Sequence, residues 1–271
     1  MIFTAEIEKL RNSPIPVDVW KDIQVGKDNT GPYKQNYPNV AINERLVDPL
    51  VDVSRYGLVS SDFYMDQLIG GDNDLISLFN KRLLWTRAWL RTSHACRLAR
   101  VDNYLRRNNL FLFVASGWRH PDLQTIITMN FAAKHGEEEA RRMFAPVTAG
   151  KAPPPHSTGA AFDLEIWSLE TGSRLEMYYK KDDKNIYNAY LMERMSTEAS
   201  GMSVDTSFTT ALMNRRILFH VLCTKGVVFD SEQETFCNHP GEFWHFGDGD
   251  PLSAYLSQQP TARYGLIYPL T

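Results

Sequence analysis

Cysteine is scarce in this chain: Cys96, Cys223 and Cys237 are the three among 271 residues. Their odd number, without metal-finger or CxxC spacing, excludes a disulfide framework and fits a reducing compartment, so cytoplasmic residence is the expectation. No apolar run is long enough to span a bilayer. The N-terminal MIFTAEIEKLRN lacks the basic-then-apolar order of a signal peptide. Excess charge is also missing: a formal net charge of −3 is too small to steer the chain toward nucleic acid or a membrane. No internal repeat, low-complexity tract or convincing linker divides the sequence. What is present, 43% hydrophobic and 23% charged residues, is the balance of a globular chain able to bury a substantial core.

Residues 1–50 carry many turn formers (NSP, GKDNTGPY, NYPN) and read as an irregular N-terminal extension packed on the fold, with a helix near Thr4–Arg11. Residues 51–271 follow as one domain. LVDPLVDVSRYG reads as a short strand and YMDQLIGGDND as a turn-rich loop. From Leu75 to Asn108 the spacing of Leu84, Ala88, Ala95, Leu98, Val101 and Leu105 predicts a helix. The arginines between them mark a solvated face rather than an RNA surface. LFLFVAS (110–116) reads as a buried strand stopped by Gly117, and Pro121-Asp122 opens a helix running to about Phe144. After the loop APVTAGKAPPP, AAFDLEIW reads as a strand and LETGSRLEM as a turn into a strand or loop. Residues 176–203 are polar and unassigned. A helix over Phe208–Lys225 ends at Gly226, and VVFD and GEFWHF read as two short strands. The expected fold class is α+β: a single domain with a small, mostly antiparallel sheet and a cleft, flanked by helices.

Of seven histidines, His156 and His245 stand out by context. On a strand, AAFDLEIW places Phe162, Leu164 and Ile166 on one face, and Ala161, Asp163 and Glu165 on the other. The first face is core, and the second suits a cleft floor. His156 lies on the preceding loop, where three prolines restrict the backbone and Gly159 permits a bend back over Asp163. An ordinary surface loop with a solvent-facing acid is the competing account. In NHPGEFWHFGDGD, Glu242 and His245 are three apart and share a site only across a bend, for which Gly241 is placed; the alternative is a hairpin edge. Together, His156, Asp163 and His245 supply three zinc ligands and leave a fourth position open, as in catalytic rather than structural sites. Glu242 is then available to take a proton from water. Arg119 in SGWRHP, between a strand and a helix, is placed to stabilise an oxyanion or hold a carboxylate, unless it is a structural arginine paired with an acid.

The order SGWR, PHSTGAAFD, GEFWHFG resembles the zinc D-alanyl-D-alanine peptidases, and most closely their dipeptidase branch, which includes the vancomycin-resistance dipeptidases. The resemblance spans roughly residues 50–250. It implies that His156, Asp163 and His245 hold one Zn2+ per chain. Glu242 would be the general base that later protonates the leaving amine, and Arg119 would polarise the scissile carbonyl. The implied substrate is D-alanyl-D-alanine or a similar small dipeptide, with no nucleic-acid or membrane partner. The family's first motif position is serine, whereas here it is Pro154, and Trp118 replaces a common tyrosine. Two other readings stand beside this one: a D,D- or L,D-carboxypeptidase acting on peptidoglycan stem peptides, and a non-catalytic zinc-stabilised binding domain.

Overall fold

Helix α1 (Ala5–Asn12) begins where Thr4 caps it, the hydroxyl accepting a hydrogen bond from the Ile7 amide. In this computed structural model the described residues are 2–16, 36–44, 47–61, 86–144, 150–181, 184–185, 188–198 and 205–268. Short strands follow α1: β1 (Ala41–Ile42), β2 (Leu50–Asp52), β3 (Val59–Ser60) and β4 (Trp89–Arg91). Next come α2 (Thr92–Arg106), β5 (Leu110–Ser116), α3 (Pro121–His135), α4 (Glu137–Met143) and β6 (Ala161–Ser168). Strands β7 (Lys180–Lys181) and β8 (Lys184–Asn185) precede α5 (Ala189–Glu198) and α6 (Thr206–Cys223). The remainder is β9 (Cys237–Asn238), β10 (His245–Gly247), α7 (Pro251–Leu256) and β11 (Thr261–Ala262).

The main sheet has five strands in the order β3-β5-β6-β10-β9, with β3 parallel to β5 and the other neighbours antiparallel. This is the α+β arrangement expected, one small antiparallel-leaning sheet flanked by helices. Alternation along β6 works as read: Phe162, Leu164 and Ile166 are fully buried. They join one apolar cluster with Leu98 and Val101 of α2, Leu112 and Val114 of β5, and Ile217 and Leu218 of α6. Helix α1 adds Ile7 and Leu10 to the same core and packs along α6. A buried bidentate pair fastens that contact: Arg216 donates to both Glu193 oxygens at 2.7 Å and to the Arg11 carbonyl at 3.2 Å. Among the described residues no helix is long and apolar enough to cross a membrane.

Several boundaries differ from the sequence reading. The helix expected from Leu75 begins at Thr92 instead; Trp89–Arg91 is strand β4, paired antiparallel with β2. Its extended backbone lets the Trp89 carbonyl accept from the Trp118 amide at 2.7 Å. Residues 75–85, and the loop expected at 64–74, lie outside the described residues. The helix expected to run to Phe144 is broken at Gly136, whose φ of 91° only glycine adopts readily. In the strand expected at VVFD there is a turn, with an isolated bridge between Lys225 and Phe229. GEFWHF becomes a strand only from His245.

Arg91 locks the loop before β6 in place. It is 1% exposed and donates to the carbonyls of Thr158 (2.7 Å), Asp48 (2.9 Å) and Gly265 (3.2 Å), while Glu44 lies 3.0 Å away. Arg91→Met leaves those buried carbonyls without donors, and the expected loss is about 3 kcal/mol of folding stability, read from urea denaturation. A loss below ~1 kcal/mol would refute the assignment of Arg91 as a structural lock.

Candidate metal centre

Strand pairing brings two of the three expected ligands together. In the register of β10 on β6, His245 lies directly opposite Asp163. The third, His156, sits in a 3-10 turn over Pro155–Thr158 that ends at Gly159, whose φ is 70°. That turn folds back over the strand as the proline and glycine spacing predicted. The atoms converge: His156 Nε2 to His245 Nδ1 is 3.2 Å, His245 Nδ1 to Asp163 Oδ1 is 3.1 Å, and His156 Nε2 to Asp163 Oδ1 is 3.5 Å. Nitrogen and oxygen ligands about 2.0–2.1 Å from a tetrahedral zinc lie about 3.3–3.4 Å apart. The triangle therefore has the size that a zinc ion requires.

His156 Nδ1 lies 2.7 Å from the Gly117 carbonyl. Donation of the Nδ1 proton to that oxygen leaves the Nε2 lone pair facing the other two ligands. All three side chains are buried, and their charges are set by one another. Burial pushes the His156 imidazole down to about 4, and the Arg119 cation acts in the same direction. Burial alone would raise Asp163, but His156, His245 and Arg119 outweigh it and hold the carboxyl well below its usual range. For His245 burial lowers the pKa, yet the hydrogen bond and charge of Asp163 leave it raised. The ionised Asp163 and neutral His156 are the forms that bind a metal, whereas His245 gives up any proton it holds when it ligates.

Glu242 comes to the same place by a different route from the one expected. Gly241 has no left-handed backbone; two successive turns make the bend, with the Glu242 amide donating to the His239 carbonyl (3.2 Å) and the His245 amide to the Glu242 carbonyl (3.0 Å). Glu242 Oε2 is then 4.0 Å from His245 Nδ1. Asn238, unnoticed in the sequence, braces this turn by donating to the His245 carbonyl at 3.0 Å. Arg119 is also present, 8% exposed, with Nη2 2.7 Å from Asp163 Oδ2. Two further residues escaped the sequence reading: Ser116 Oγ accepts from Arg119 Nε at 3.1 Å, and Gln124 Oε1 lies 3.5 Å from Nη1. The one available signal was helical: with Pro121 opening α3, residue 124 turns back toward the segment before the helix.

The remaining histidines have other work. His94 is buried with Nε2 on the Asp248 carbonyl at 2.9 Å, His120 caps α3, His135 packs on Phe131, and His220 meets the Ser13 carbonyl. His239 packs edge-on against His245 with ring centres 5.4 Å apart. The three cysteines are free thiols.

Fold and cluster together define a mixed α/β protein with a His–Asp–His site competent to hold a metal, beside a carboxylate and a guanidinium. No family model matches the chain. A D-alanyl-D-alanine dipeptidase from Synechocystis sp. is 30% identical over 124 residues, which cover 42% of this chain and 44% of that protein. The chain thus matches less than half the length of this relative. Such distant, partial similarity, with the buried His–Asp–His cluster, is consistent with a zinc-binding enzyme of the peptidase kind.

The donor set leads to a direct measurement. Purified protein equilibrated with zinc and desalted is expected to retain one ion per chain by elemental mass spectrometry. His156→Ala and His245→Ala should each lose it under the same conditions. Equal zinc in the wild type and both variants would place the metal elsewhere.

Proposed function

We propose that the protein is a zinc-dependent peptidase that hydrolyses small dipeptides of the D-alanyl-D-alanine kind. The observation that carries this reading is the meeting, in one buried cluster, of three zinc-type ligand atoms with the Glu242 carboxylate 4.0 Å from His245. In such a site a zinc ion would polarise the scissile carbonyl and acidify a water at neutral pH. Glu242 takes the proton of the attacking water and passes it to the amine as the peptide bond breaks. The Arg119 guanidinium, at the edge of the cluster, stabilises the negative charge that grows on the carbonyl oxygen. Trp244, beside His245 and stacked on Tyr178 with ring centres 5.9 Å apart, adds apolar bulk that limits water next to the reacting bond. The catalytic unit in this reading is residues 51–271, acting in the cytoplasm.

The dipeptide substrate rests on the resemblance to D-alanyl-D-alanine peptidases and on the partial similarity to one such dipeptidase. The test is release of free D-alanine from D-alanyl-D-alanine by the zinc-loaded protein and by Glu242→Ala. The variant should keep its zinc and lose roughly 10²–10⁴-fold in kcat. Hydrolysis unchanged in Glu242→Ala would overturn the assignment of the base. Cleavage of a pentapeptide stem but not of the dipeptide would make the protein a carboxypeptidase, and no hydrolysis of either would make it a zinc-stabilised binding domain.

A further inference from the structure

Two of the three ligands of the candidate metal centre are oriented by the same short segment. Strand β5 ends at Ser116, which pairs with Asp163 across a register shift between Val114 and Ser116. The chain then leaves the strand as an irregular segment through Gly117 and Trp118. Gly117 is required at this point because a Cβ there would lie 2.5 Å from the Trp89 carbonyl oxygen, a backbone atom that cannot swing away. The Gly117 carbonyl meets His156 Nδ1 at 2.7 Å, and the following Arg119 reaches Asp163 Oδ2, also at 2.7 Å.

Asp163 divides its two oxygens between two tasks. Oδ1 faces both imidazoles, and Oδ2 accepts from Arg119. The guanidinium is a planar fork, so its grip on Oδ2 depends on how its other nitrogens are held. Ser116 Oγ takes the Nε proton at 3.1 Å, and Gln124 Oε1 lies 3.5 Å from Nη1. Both partners are buried, at 1% and 3% exposure, so water does not readily replace either. Nε, Nη1 and Nη2 thus each have a side-chain acceptor, and the guanidinium plane is fixed relative to Asp163.

We infer that the segment Ser116–Arg119, with Gln124, is the outer shell of the metal centre, and that Arg119 sets metal affinity by holding Asp163 in its ligating orientation. Ser116 and Gln124 are positioning residues that act through Arg119. This rests on the metal reading of the cluster and adds to it a source of affinity lying outside the three ligands. A guanidinium serving the substrate alone would leave zinc affinity untouched when its supports are removed.

The experiment measures the zinc dissociation constant of the full chain by competition with a chromophoric chelator, with no substrate present. Outer-shell partners of ligands contribute about 10–100-fold to metal affinity. Arg119→Gln should weaken binding by that factor, and Gln124→Leu by about 10-fold. Gln124→Glu, which keeps an oxygen facing Nη1, should stay within about 3-fold of wild type, a rescue that loss of packing alone would not produce. Ser116→Ala removes one oxygen with almost no change in volume, so it tests the same link where Gln124→Leu disturbs the fold, and an intact melting transition identifies the folded variants. Affinity unchanged in Arg119→Gln and Ser116→Ala, with zinc bound tightly by the wild type, would overturn the inference and leave the metal centre standing. A wild type that binds no zinc would overturn the metal reading, and this inference with it.

Discussion

The Asp163 carboxylate is the point on which the rest of the structure depends. It is an anion only 9% exposed, in a strand whose neighbouring side chains are Phe162 and Leu164. Such a charge costs several kcal/mol unless it is paired and hydrogen-bonded. Here the compensation comes from three segments far apart in sequence: the irregular segment after β5 brings Arg119, the loop before β6 brings His156, and β10 brings His245. Removing any one of these partners leaves a buried charge short of compensation. The sheet order and the register of β10 on β6 are therefore tied to the electrostatics of one side chain.

Loops usually carry more motion than the strands they connect, yet the loops here must hold atoms to within a few tenths of an ångström. The segment following β11 supplies much of the restraint. The Trp118 indole donates to the Ile267 carbonyl at 2.9 Å, and the Ile267 amide donates to the Ser157 carbonyl at 3.3 Å. Arg91 holds the Gly265 and Thr158 carbonyls together, and the Tyr268 ring packs on His120 with centres 5.4 Å apart. One strap thus crosses both the loop that carries Arg119 and the loop that carries His156. It fixes them relative to each other without contacting a ligand atom itself.

What could be read from the sequence follows from how local each cause is. Alternation in AAFDLEIW revealed both the core face and the aspartate, because period 2 is a property of the strand alone. The convergence of His156, Asp163, His245 and Glu242 was readable because metal chemistry limits which residue types fit together. Strand β4 was not readable, because Ala88 and Leu84 extend the helical spacing of α2 backward. Only pairing with Leu50–Asp52, some forty residues away, makes Trp89–Arg91 extended. Ser116 and Gln124 were overlooked for a related reason: neither carries chemistry of its own, and each matters through where Arg119 is held. The bend before His245 was expected, but its cause was assigned to Gly241, whereas main-chain turn bonds braced by Asn238 produce it.

Pro154 bears on how the loop that carries His156 is held. Where the family resembled would place a serine hydroxyl, this chain has a ring whose carbonyl accepts from the Ser157 amide at 3.0 Å and opens the turn that carries His156. Proline fixes φ and removes a donor, so the exchange stiffens the ligand loop while deleting a polar contact. His156 is then held by the prolines before it, by the Gly117 carbonyl at its ring and by Arg91 on Thr158 after it. The loop can therefore keep its ligand geometry without a hydroxyl at residue 154.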